Sequence, residues 1–82
     1  MSATLQDIKR WLDEAKKDNA THLIVAVDRY DHDNYPIYVT SDKDVQKEIE
    51  RIDNASMQGI DEVYNMSMPI DKQLSECRAY HV

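Results

Sequence analysis

At 82 residues with a formal net charge of -6, the chain has room for one domain, 1–82, whose thin core hides only ~60% of the unfolded surface. The acidic balance argues against direct binding of nucleic-acid polymers, which needs a positive surface to displace counterions. It is compatible with a basic protein partner. No apolar run approaches the ~20 residues that span a bilayer, and Met1-Ser2-Ala3-Thr4-Leu5 runs into charged residues rather than a signal sequence. The single cysteine, Cys77, cannot make an internal disulfide, which points to a reducing, cytoplasmic setting. Its position in a helical pattern makes it a small core residue.

Thr4 and Asp7 form a capping box for a first helix. Leu5, Ile8, Trp11, Leu12 and Ala15 make its apolar stripe. Asp13 and Lys17 are spaced for an ion pair, and Asn19 suits a left-handed stop. A first strand follows over 21–28. Leu23, Val25 and Val27 point one way, and His22, Ile24, Ala26 and Asp28 the other. Both faces are apolar at mid-strand, so both must be covered. Three short helices suffice for one face. A second copy of the chain is expected on the other, which makes a homo-oligomer the expectation.

A carboxylate-rich loop leads into a second strand, Tyr35-Pro36-Ile37-Tyr38-Val39. Pro36 restricts that strand to a start or an edge. Ser41, with Asp44 as its partner, is expected to cap a second helix whose stripe is Val45, Ile49 and Ile52. Gly59, the only glycine, marks a turn. Residues 60–67 read as a third strand with Ile60, Glu62, Tyr64 and Met66 on one side, although a helix competes over so short a stretch. Pro69 opens a last helix with Ile70, Leu74 and Cys77 buried. The order helix-strand-strand-helix-strand-helix gives an α+β fold with a small antiparallel three-stranded sheet.

Candidate chemistry gathers around the hairpin loop. Asp28, Asp31, His32 and Asp33 could share a proton or a cation, and a small metal-dependent hydrolase is one reading of them. The calcium-loop spacing fails, however, because Pro36 stands where a glycine is required. The histidines at 22, 32 and 81 show no zinc pattern. No metal or cofactor is therefore expected. A solvated turn explains the same residues, since Asp and Asn bond their own backbone. Asp28 ends an apolar strand and needs a partner: Arg78, or a tyrosine hydroxyl. Either Asp28 and Arg78 pin the last helix, or Asp28, Tyr30, Asp31 and Tyr35 line a site to which Arg78 and His81 bring positive charge for an anionic ligand. His22 is expected to bond at the strand start, and Met57, Met66 and Met68 to fill core.

The strings Ala20-Thr21-His22-Leu23-Ile24-Val25, Asp28, Tyr30, Asp31 and Tyr35-Pro36-Ile37-Tyr38-Val39 resemble a group of short phage and prophage proteins. The later Glu62-Val63-Tyr64, Gln73-Leu74 and Arg78-Ala79-Tyr80-His81 resemble the same group. The resemblance implies a non-enzymatic accessory protein acting in the host bacterial cytoplasm. Such a protein would modulate a host process such as antiviral defence, either by blocking a host protein or by sequestering a small anionic, nucleotide-like signal. It brings no residue roles. A structural accessory piece without a pocket is the remaining alternative.

Overall fold

A computed structural model describes residues 3–82. Its elements are α1 (Leu5–Lys17), β1 (His22–Asp28), β2 (Asn34–Val39), α2 (Val45–Asn54), β3 (Gln58–Asn65) and α3 (Ile70–Leu74). The fold is α+β, with three helices and one antiparallel three-stranded sheet. α1 opens on its capping box. Asp7 N–H donates to Thr4 Oγ1 at 3.2 Å, and Thr4 N–H donates to Asp7 Oδ2 at 3.1 Å. The backbone bond from Thr4, then the bond with its hydroxyl, hold the Asp7 carboxyl below its ordinary range. The helix stops at Asp18, and Asn19 takes the left-handed conformation at φ 55°. Lys17 pairs with Glu14 at 3.9 Å rather than with Asp13.

β1 is the central strand, in the order β2-β1-β3. Leu23 and Val25 pack on one face with Leu12 and Ala15 of α1, joined by Ile8, Trp11, Ile70 and Leu74. Ile24 and Ala26 pack on the other with Ile49 and Ile52 of α2, together with Val39 and Val63. Truncating a fully buried member such as Ile52 to alanine costs about 2–5 kcal/mol. The helices therefore divide between the faces instead of gathering on one. The narrow stripe of α2, Ile49 and Ile52 with Val45 beside them, covers the second face. That removes the premise from which a second copy of the chain was expected.

Other local expectations change for definable reasons. Asp44, not Ser41, caps α2, accepting from Gln46 N–H at 2.9 Å. Gly59 lies inside β3, paired with Val27 and buried. The turn is made just before it, with Met57 at φ 63°. What Gly59 supplies is space, since a Cβ there would stand 2.5 Å from Arg29 Nη2. A register shift between Val25 and Ala26 leaves Asp61 as an extra residue in β3. This bulge breaks the alternation, so Ile60 joins Val63 on the α2 face while Tyr64 and Met66 face α1. α3 ends at Leu74, which leaves Cys77 exposed. The buried residue of α3 is Gln73, at 1% exposure. Met57 and Met68 are exposed; Met66 alone of the three packs against core.

Gln73 belongs to a device that closes the outer edge of β3. Its Oε1 accepts from Asn65 N–H at 2.8 Å and its Nε2 donates to Asn65 C=O at 2.9 Å. A side-chain amide thus stands in for a strand residue. One step along, Val63 N–H donates to Ala79 C=O and Val63 C=O accepts from His81 N–H, both at 3.0 Å. Beyond the next outward position, Arg78 Nε donates to Asp61 C=O at 2.6 Å and Nη2 to Ile60 C=O at 3.2 Å. Glu62 ties the segment down from beside the strand. Its carboxylate accepts from Ala79 N–H at 2.9 Å and from the buried Tyr64 hydroxyl at 3.0 Å. Burial, and then the Glu62 charge, push the Tyr64 phenol well above its ordinary range.

Among the described residues the outer edge of β2 has no strand beside it. Asp28 N–H donates to Asp33 C=O, which sets the alternation of the antiparallel ladder. By that alternation Pro36, opposite Val25, falls in a pair that exchanges no backbone bonds. Its missing N–H therefore falls on the open side, as the edge position expected of it requires.

Candidate functional site

The end of the sheet at Asp28 carries two turns side by side. In the first, residues 29–33, Asp28 N–H donates to Asp33 C=O at 2.8 Å and His32 N–H to Asp28 C=O at 2.7 Å. Asp28 Oδ1 accepts from Tyr30 N–H at 2.9 Å, and Asp31 Oδ1 from Asp33 N–H at 3.1 Å. His32 takes the left-handed conformation at φ 61°. The carboxylates therefore serve the turn, as Asp side chains commonly do. Tyr30 is not accounted for in this way: it stands 82% exposed on a backbone fixed on both sides of it.

The second turn is fastened to the first. Arg29 N–H donates to Met57 C=O at 2.8 Å, and the Arg29 guanidinium lies across Gly59. Met57 is 52% exposed and holds a positive φ without being glycine, a conformation that costs a non-glycine residue about 1–2 kcal/mol. Two large exposed side chains, one of them on strained backbone, thus share one end of the molecule with Asp28, Asp31 and Asp33. Backbone strain of this kind is common at functional surfaces.

The six residues expected to form one site divide into three places. Asp28, Tyr30 and Asp31 are together at this tip. Tyr35 is half-buried in β2 and packs against the core on the α2 face. Arg78 and His81 lie on the segment along β3. Arg78 is spent on the Ile60 and Asp61 carbonyls and sits 5.2 Å from the Tyr80 ring centroid. His81 Nε2 faces both Glu76 carboxylate oxygens, at 2.8 and 3.0 Å. The Asp28–Arg78 pair does not form, because the Tyr30 amide takes Asp28 and strand carbonyls take Arg78. His22 does bond at the strand start, its Nδ1 lying 2.9 Å from Thr21 Oγ1.

Among the described residues no group of three or more His, Cys, Asp or Glu is placed to hold a metal ion. No helix of theirs is long and apolar enough to cross a membrane. The residues that reading the sequence missed are Met57 and Arg29. Neither carries a signal in periodicity, and a left-handed methionine has no mark in composition. No protein-family model matches the chain, and no curated protein and no solved structure matches it significantly.

Proposed function

We propose that the chain is a non-enzymatic binding protein that occupies a basic site on a protein partner with the tip formed by Tyr30 and Met57. One observation carries this reading. Tyr30 is 82% exposed on a loop pinned by the bonds at Asp28, Arg29, Asp31 and His32. An aromatic side chain on fixed backbone loses little freedom on docking, and such residues dominate binding energies. The surrounding aspartates and the net charge of -6 would steer a basic partner and raise its association rate. Capture of a small anion at Arg78 and His81 has less support, since both side chains have partners already. The resemblance to phage and prophage proteins supports a bacterial host as the setting and a host defence process as the target.

The test is affinity capture from bacterial lysate with the natural chain and with Tyr30→Ser, followed by titration of the captured protein in purified form. The expected result is a partner bound at least tenfold more weakly by Tyr30→Ser, with an association rate that falls as salt rises. Equal capture and equal affinity for the two chains would overturn the reading, as would capture of nothing by the natural chain.

A further inference from the structure

The C-terminal segment that closes the edge of β3 leaves an edge of its own. Val63 N–H donates to Ala79 C=O and Val63 C=O accepts from His81 N–H, which makes Tyr80 the partner of Val63 in a parallel bridge. In a ladder bonded through residues 79 and 81, the residue between them turns its own N–H and C=O to the far side. Neither of these Tyr80 groups has a hydrogen-bond partner among the described residues. The side chains around them are open as well: Tyr80 is 42% and Val82 51% exposed.

Sheet edges are kept from pairing by a proline, a bulge or an outward charge. The edge of β2 carries Pro36. At Tyr80 there is no such guard, and the neighbouring charge, Arg78, is turned back onto the Ile60 and Asp61 carbonyls. A donor and an acceptor facing outward from one residue are complementary to a copy of themselves. A two-fold axis beside Tyr80, perpendicular to the sheet, sets it opposite its copy as an antiparallel hydrogen-bonded pair. Each N–H then donates to the other C=O, with the Cα atoms about 5.5 Å apart. The same operation lays the two Tyr80 rings side by side, each with its own Arg78 guanidinium 5.2 Å from the ring centroid. Aromatic pairs of this kind add stability to a ladder. Such a contact asks for no second surface, because one patch supplies both halves.

We propose that the outward edge at Tyr80 is a two-fold contact between copies of this chain, which joins their sheets into one. It concerns the edge of the sheet and not its faces, which α1 and α2 cover. The seam is only a few residues long and falls below the ~1,200 Å² of a standard interface. The dimer is therefore weak and reversible, with a dissociation constant between about 10 µM and about 1 mM. The contact uses no residue of the Tyr30 tip and does not depend on that reading.

The experiment is sedimentation equilibrium of the full chain over that concentration range, with amide spectra of the ¹⁵N-labelled chain recorded alongside. A monomer–dimer equilibrium is expected, with concentration-dependent amide shifts centred on residues 79–82. Tyr80→Lys places two ammonium groups against each other across the axis. Tyr80→Pro removes the outward N–H but none of the bonds to β3, since Ala79 and His81 make those. Each variant should bind its copy at least about tenfold more weakly while the amide shifts of the core stay in place. Tyr80 is exposed, so Tyr80→Lys keeps the test valid even where Tyr80→Pro loosens the segment. A chain that stays monomeric at about 1 mM overturns the proposal and leaves the edge to a strand of a different protein. So does a dimer that either variant leaves as tight, or one whose shifts centre elsewhere.

Discussion

The two outer edges of the sheet are protected by opposite means. Along β3, the C-terminal segment meets the outward backbone groups one after another, through a Gln73 amide, two main-chain bonds to Val63 and the Arg78 guanidinium. Along β2, no strand partner is supplied among the described residues; a donor is removed at Pro36 instead. The first means adds bonds and so adds stability, but it depends on each contributing side chain. The second contributes almost nothing to stability and acts only against association with other strands.

Gln73→Leu should break the comparison most severely. It strands the Asn65 N–H and C=O, and the loss expected in urea denaturation is about 2–3 kcal/mol. A loss within experimental error would show that the β3 edge needs no partner. Arg78→Ala should cost less, about 1 kcal/mol, because the guanidinium is exposed. Its clearer signature is faster hydrogen exchange at the Val63 amide with Leu23 unchanged.

His22 probes the rung that joins the two edges, since it pairs with Val39 on one side and Asn65 on the other. Burial pushes its pKa below the ordinary 6.5. As pH falls below about 6.5, the unfolded chain takes up this proton before the folded chain does, so stability is lost across that window. The difference in melting temperature between the natural chain and His22→Gln should therefore shift in favour of the variant between pH 7.5 and pH 5. A difference independent of pH would show that the ring is solvated. Pro36→Val should have the smallest effect on stability, within about 0.5 kcal/mol, yet it restores a donor on the open edge. Light scattering should then show concentration-dependent association beyond that of the natural chain; matching behaviour would assign the protection of β2 to something other than Pro36.

What could be read from the sequence was what neighbours in the chain decide. The Thr4–Asp7 box, the left-handed stop at Asn19 and the two-faced run from Leu23 to Val27 each depend on residues within a few positions, and each is found as expected. Pro36 at an edge follows from the chemistry of one residue. The rest was decided at a distance. Arg78 reads as a partner for Asp28 or for an anion until β3, 17 residues earlier, offers it a carbonyl at Asp61 instead. Gln73 lies outside the expected stripe Ile70, Leu74 and Cys77, and is buried because Asn65 presents its N–H and C=O to it. Gly59 reads as a turn because the space it leaves for Arg29 is invisible without the pairing of β3. The bulge at Asp61 exchanges the sides of Ile60 and Tyr64, which no period of two can anticipate. At the candidate site only the Asp28–Tyr30–Asp31 part was legible, as a local turn. Met57 joins it through a bond between residues 29 and 57.

The central place of β1 also imposes an order of assembly. Joining β1 to β2 closes only residues 29–33, whereas joining it to β3 closes residues 29–57, a difference of about 1.5 kcal/mol in chain entropy. The hairpin is thus the cheapest long-range encounter available to the unfolded polypeptide. The final stretch has nothing to dock on until β3 has arrived, so it is last to settle and first to come away, and proteases that sample partly opened molecules should cut there before anywhere else.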